Sequence, residues 1–359
     1  MAITTGVYTT RETLKRALDI GETARNNRNI DRCIESAARM IDGMCHRIFY
    51  PRVDTKYFDW PNFGQRAVPW RLWLDDTELI SITQVMSGGV TIPGANINLE
   101  PNRTGPPYDR LEIDISSQSA FSSGSTYQNS VAITGLWGYT DAESSVGTLA
   151  EVLDTVETGI DVDGPTSSEI GVGSILRIDS ERMIVTGRNQ LSTGQTLGGT
   201  GLTNNKNDVT VPVANGTQFA IEELITLDSE RMLIVDIAGN NLTVIRAYDG
   251  STLATHANGA AIYAPRTLVV TRGALGTTAA THSISATINR WDAPPGIRQL
   301  NTAQAIHELM QEQTGWFRTM SASSNFGGAS RRAATMEALN DLRNTVYQQY
   351  GRKARTRTI

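Results

Sequence analysis

The sequence predicts an α+β fold: a helical core with a small antiparallel sheet, interrupted by a β-rich insertion of two nested modules. Three patterns predict it. Apolar residues recur at helical spacing near both ends, apolar and polar residues alternate between residues 55 and 139, and two short motifs recur in the middle with unequal offsets. The core is assigned to residues 1–140 and 290–359, and the insertion to 141–289.

The N-terminal helices come first. Thr9 and Glu12 stand at capping-box spacing, Leu14, Ala17 and Leu18 follow on one face, and Gly21 can end the helix in the left-handed conformation. A second helix from about Asn29 puts Ile30, Cys33, Ile34, Ala37, Ile41, Met44 and Cys45 on one stripe, leaves Arg32, Glu35, Arg39 and Asp42 toward water, and stops before Phe49-Tyr50-Pro51. Alternation then predicts strands at 56–58, 71–74, 79–86, 111–115 and 131–139, separated by Gly, Pro and Asn turns. Pro294-Pro295-Gly296 restarts helical spacing through Ile297, Leu300, Ala303, Ile306, Leu309 and Met310 as far as Trp316-Phe317. Ser321–Ser330 reads as a flexible loop, and a last helix near 332–350 carries Met336, Leu339, Leu342, Val346 and Tyr350.

The middle carries the repeats. Asp179-Ser180-Glu181-Arg182-Met183 recurs unchanged as Asp228-Ser229-Glu230-Arg231-Met232, an offset of 49 residues. Val244–Tyr263 echoes Val270–Ile288 at an offset of 26, with Arg246 ten residues before His256 and Arg272 ten before His282. Unequal offsets exclude a tandem array. The outer pieces belong together, and one complete copy lies inside the other. Gly239-Asn240-Asn241 marks a hairpin turn. Asp179, Glu181, Arg182 and their twins could be paired carboxylates with an electrostatic partner, but Asp-Ser suits a turn and alternate polar residues on a strand face water. His256 and His282, in loops without a nearby Cys or second His, are expected to serve as loop hydrogen-bonding groups.

Composition narrows the classes. A chain of 359 residues with net charge −5 suits two or three globular domains. The charge is uneven: residues 141–271 carry 17 acids against 7 Lys/Arg, and 331–359 carry 7 Lys/Arg against 2 acids, so the middle and the tail suit different partners. No apolar run reaches the roughly 18 residues of a membrane span and the N-terminus lacks signal-peptide order, so folding in a cytoplasm is expected. Cys33 and Cys45, on one helix and about 18 Å apart at helical rise, are beyond disulfide reach.

Catalytic motifs fail on required residues. His307-Glu308 lacks a second His, because Gln311 occupies its place, and Gly198–Lys206 lacks the Gly-Lys-Ser/Thr ending and helix that would cradle phosphate. No nucleophile elbow or zinc-spaced Cys/His cluster occurs. The sequence therefore predicts no enzyme, no cofactor, and no catalytic or metal site. The basic end, with Arg352, Lys353, Arg355 and Arg357, could pair with phosphates or an acidic protein groove, or remain solvated; it lacks the interleaved aromatics of single-strand binders.

Taken in order, Thr9–Leu18, Ile30–Arg52 with its Met44-Cys45-His46-Arg47-Ile48-Phe49-Tyr50-Pro51 end, Leu79–Thr83, Ala132–Tyr139 and Pro294–Arg298 resemble the head-tail connector, or adaptor, family of tailed bacteriophages. The resemblance covers about 200 residues at the two ends. It implies a virion neck component assembled in the host bacterial cytoplasm: a homo-oligomeric ring, typically dodecameric, bound to the portal and presenting its other face to a stopper or tail protein. Double-stranded DNA would pass through without sequence-specific recognition, and no membrane would be involved. It further implies Arg352, Lys353, Arg355 and Arg357 as portal-contact candidates, with the insertion projecting outward or bracing neighbouring subunits. The alternative is a host-surface or glycan-binding tail protein using the duplicated modules.

Overall fold

The computed structural model describes residues 3–18, 27–61, 69–75, 77–314 and 326–352. Strand outweighs helix, 35% against 24%, and forms three antiparallel sheets, so the expected helical core with a small sheet is incorrect. The helical periodicities at the two ends do mark helices. The larger β content comes from 143–291, where strands from both repeat copies join into one sheet, and from strands too short to register as alternation, such as Val90–Ile92.

Packing separates two compact units along lines different from the three sequence segments. One comprises 1–41, 143–274 and 278–344; the other comprises 42–142, 275–277 and 345–359. The division falls within two helices, α2 (Asn27–Cys45) and α5 (Phe326–Tyr350). The latter begins inside the stretch expected to be a loop. Among the described residues no helix is long and apolar enough to cross a membrane.

The smaller unit holds two sheets. Strands β1 (Arg52–Phe58), β3 (Leu79–Ser87), β4 (Val90–Ile92) and β7 (Val131–Trp137) pair in the order β1-β7-β3-β4. Strands β2 (Arg71–Trp73), β5 (Ile97–Glu100) and β6 (Arg110–Ile113) pair as β2-β6-β5. Period-two burial along β7 sends Val131, Ile133 and Trp137 into a core with Leu74, Leu79, Val85, Leu111 and Ile113.

The larger unit is organised by a ten-stranded sheet made of both modules. The first contains β8 (Glu143–Thr148), β9 (Gly159–Asp161), helix α3 (Gly164–Glu169), β10 (Ile175–Ile178) and β17 (Thr287–Trp291). The second contains β12 (Thr210–Pro212), β13 (Leu224–Leu227), β14 (Glu230–Ala238) and β15 (Asn241–Ile245). Two long strands, β11 (Glu181–Thr196) and β16 (Ala261–Thr271), belong to both. In the first module Ile175 faces Ile184 and Ile178 faces Glu181; in the second, Leu224 faces Leu233 and Leu227 faces Glu230. Each module has its own core, around Leu176, Met183, Leu268 and Ile288 in one and Ile225, Met232, Leu242 and Ile262 in the other.

The site of insertion follows from register. In the second module Ala238 pairs with Asn241 across the Gly239-Asn240 turn, with Gly239 at φ +61°. Applying the two offsets, the equivalent pair is Asn189 with Thr267, and those residues do face each other across β11 and β16. The second module therefore replaces the turn of a hairpin in the first.

The N-terminal segment packs on the first module. Helix α1 (Arg11–Ala17) is capped by Thr10, whose hydroxyl accepts from the Thr13 amide at 3.2 Å. The expected Thr9–Glu12 capping box is not formed. Glu12 instead accepts the Val172 amide at 2.7 Å, while the Arg11 amide donates to Val172 O at 3.1 Å. Arg11 also pairs with buried Asp31 of α2 at 2.6 Å, and Asn301 of α4 (Pro295–Thr314) accepts from the Tyr8 amide at 3.1 Å. Cys33 and Cys45 are free and buried, and burial pushes each thiol up to about 11.

Candidate functional site

The most elaborate polar chemistry lies in two equivalent clusters, one per module. In the first, Glu181 opens β11 with its side chain wholly buried, and Arg272 reaches it from the end of β16. Arg272 Nε and Nη2 donate to the two Glu181 oxygens, each at 2.8 Å. Nη2 also donates to Ala280 O, and Nη1 donates to Asp154 O and Glu157 O. All five guanidinium donors are thereby used. The Gly273 and Ala280 amides donate to Glu181 as well.

The second cluster repeats this geometry. Arg246 donates to Glu230 at 2.7 and 2.8 Å and to the carbonyls of Thr203, Asp208 and Ala254, while the Ala247 and Ala254 amides complete the Glu230 shell. The glycine-rich segment that failed as a phosphate loop thus supplies a carbonyl to the Arg246 cage. Gly201 on it, at φ +85°, passes so close that a Cβ would meet His256 O at 2.3 Å.

Each cluster carries a histidine between two carboxylates. His282 faces Asp179 through Nδ1 at 2.8 Å and Glu181 through Nε2 at 2.9 Å; His256 faces Asp228 at 2.7 Å and Glu230 at 2.9 Å. With both ring nitrogens engaged, neither imidazole offers a free lone pair to a metal, and among the described residues no group of His, Cys, Asp or Glu is placed to hold one. Buried and saturated, the clusters act as locks that tie a β-hairpin, an Arg-His loop and a preceding loop together. The expected exposed strand carboxylates are corrected accordingly. Asp179 and Asp228 are exposed and occupy left-handed turn positions at φ +51° and +50°, but Glu181 and Glu230 point inward.

The locks make stability acid-sensitive. Burial alone would raise the Glu181 and Glu230 carboxyls, but the Arg, His and backbone donors outweigh it and hold both at about 2. Folded values below the ordinary 4.5 mean that the contribution is fully present above about 4.5 and is lost as pH falls toward about 2. Urea midpoints measured from pH 6 to pH 2.5 should fall, and the Glu181→Gln, Glu230→Gln double variant should flatten that slope. An unchanged slope would remove these carboxylates as its source.

A second polar site sits at the base of the basic tail. The Phe49 ring is edge-on to Tyr139 and Tyr350, with centroids 5.4 and 6.1 Å away, and Tyr139 and Tyr350 meet at 5.9 Å. Arg47 lies 5.1 Å above the Tyr139 ring and 3.2 Å from Glu78, which is also 3.5 Å from Arg352. The Arg352 amide donates to Cys45 O at 3.0 Å and its Nη1 donates to Asp75 O at 2.7 Å. Of the four portal-contact candidates, Arg352 is thus placed beside the Met44–Pro51 segment, whereas Lys353, Arg355 and Arg357 lie outside the described residues, as do Gly21 and Trp316-Phe317.

Sequence reasoning had every member of the locks in view but did not join them. The missing signal was joint recurrence: the two motifs repeated in both copies contain complementary Glu and Arg at different offsets, so only folding that pairs the motifs satisfies both. His307, on α4, makes a 2.8 Å contact with Gln311, the residue standing where a second zinc ligand would be needed. No family model, curated protein or solved structure matches this chain.

Proposed function

We propose that the chain is a structural head-to-tail connector subunit of a tailed phage, forming a ring that joins the portal to the tail or stopper and extends the DNA channel. One observation carries this reading beyond the order of motifs. Segments distant in sequence that bear the resemblance, Met44–Pro51 and the Gly138-Tyr139 strand end, converge with the end of α5 around Phe49, Tyr139 and Tyr350. That convergence fixes where the basic tail begins, as a partner-binding extension requires. The function is mechanical, and the locks fit it by making the β modules rigid without offering a reactive group.

The test is co-expression with the portal protein of the same phage, followed by electron microscopy. A ring seated on the portal is expected. Replacing Lys353, Arg355 and Arg357 with alanine should weaken portal binding about tenfold, since each ion pair at a solvated interface contributes up to about 1 kcal/mol, while Arg352, paired within the chain with Glu78, is kept so that the base of the tail is undisturbed. A chain found only on tail fibres, or portal binding indifferent to all three changes, would refute the respective claim.

A further inference from the structure

We propose that the outer face of the second module, centred on Ile221, is a docking surface for an extended segment of a partner protein that runs into a helix with a carboxylate in its first turn. The duplication itself supplies the reason. Offset by 49, Ile221 is the twin of Val172, Leu224 of Ile175 and Leu233 of Ile184. In the first module that face is covered by the N-terminal segment of this chain: Val172 is fully buried, and a Cβ at Gly173 would lie 2.8 Å from Val7 and 3.5 Å from Ile3. The backbone of Val172 is satisfied from the same segment, its amide by Glu12 and its carbonyl by the Arg11 amide.

Among the described residues the second module has the same face without that cover, although Lys15 and Arg16 of α1 pair with its Asp249 and Glu222. Ile221 is 53% exposed, and Val235, Ile245 and Tyr263 are exposed beside half-buried Leu224 and Leu233. Cross-strand pairing makes the patch continuous, Leu224 to Leu233 to Ile245. Among the described residues, neither the amide nor the carbonyl of Ile221 has a hydrogen-bond partner, although both are bonded in its twin. The homologous anchor, the Glu222 amide donating to Ile234 O at 2.8 Å, matches Gly173 donating to Val185 O at 2.8 Å, so the backbone is already shaped for the occupant.

Stoichiometry excludes a second copy as the natural occupant, because each chain has two such faces and one N-terminal segment, already seated on its own first module. The occupant also differs from that segment at one point. Glu222 replaces Gly173, where a Cβ would lie 2.8 Å from Val7, so the partner needs a glycine there; the Glu222 carboxylate itself pairs with Arg16 of this chain. The inference is independent of the connector reading, since it follows from module equivalence alone.

The experiment titrates the full chain with a fluorescently labelled peptide of its own residues 1–18 carrying Val7→Gly, read by anisotropy. Saturable binding of one peptide per chain is expected, weakened about tenfold by Ile221→Asp in the protein and similarly by Glu12→Ala in the peptide, the loss of about 1.4 kcal/mol. Ile221 is exposed, so Ile221→Asp should keep the wild-type circular dichroism and unfolding midpoint. Absence of saturable binding, or binding unaffected by Ile221→Asp, would overturn the proposal; so would sedimentation showing that Ile221→Asp merely dissolves a homodimer.

Discussion

Arg246→Ala should unfold the second module under conditions where the wild-type chain is folded, with a loss of about 3–5 kcal/mol. The side chain of Arg246 is wholly buried, as is that of its partner Glu230. Removing the guanidinium leaves a buried carboxylate without its cation and frees three carbonyls, those of Thr203, Asp208 and Ala254, that it holds at 2.6–3.2 Å. Such a loss is a large share of the roughly 5–15 kcal/mol that stabilises a domain. The pair Glu230→Gln with Arg246→Met should cost much less than the sum of the single changes, because no unpaired charge remains buried. Additive losses in denaturant titrations would show that the two residues do not act as a unit.

Phe49→Ala should cost about 3–5 kcal/mol in the smaller unit, the range for removing a fully buried aromatic ring. Phe49 is 0% exposed, and its edge-on contacts hold Tyr139 at the end of the sheet and Tyr350 at the end of α5. The change should therefore act at two levels. It lowers the unfolding midpoint, and it lets the chain after Tyr350 move, which hydrogen exchange at the Arg352 amide would register as lost protection. Phe49→Leu should retain most of the packing and most of that protection.

Both effects concern residues whose importance was unevenly legible in sequence. The stripe Ile30, Cys33, Ile34, Ala37, Ile41, Met44 and Cys45 was readable because helical spacing is local; six of the seven are buried, and Met44 is half-buried. The nested order was readable because it rests on identity at two offsets. What escaped was the distribution of structure in space: periodicity says that a segment has an apolar face, not which other segment covers it. The N-terminal helix was assigned to a core with the small sheet, yet Arg11 and Glu12 dock on Val172 of the first module. Likewise Glu181 occupies a strand position whose alternation assigns it to water, and only the arrival of Arg272, 91 residues later, reverses that. Burial of charge is a property of pairs, and the partner here is distant in sequence.

The fusion of two modules through β11 and β16 has a mechanical consequence. Because the second copy replaces a hairpin turn, β11 runs into it and β16 returns from it, so the modules are joined through two strands paired with each other, with bulges, rather than through a single linker. Force or torque applied to one is transmitted to the other through the sheet.

The most direct test of the nested duplication is excision of residues 190–266, with Gly-Asn joining Asn189 to Thr267 in imitation of Gly239-Asn240. The shortened chain should remain β-rich and unfold cooperatively, at a midpoint lowered by loss of contacts such as the Lys15–Asp249 ion pair at 2.9 Å. A chain that is unfolded, or whose stability is unchanged when Arg272→Ala removes the Glu181–Arg272 lock, would contradict the assignment of the second module to that turn.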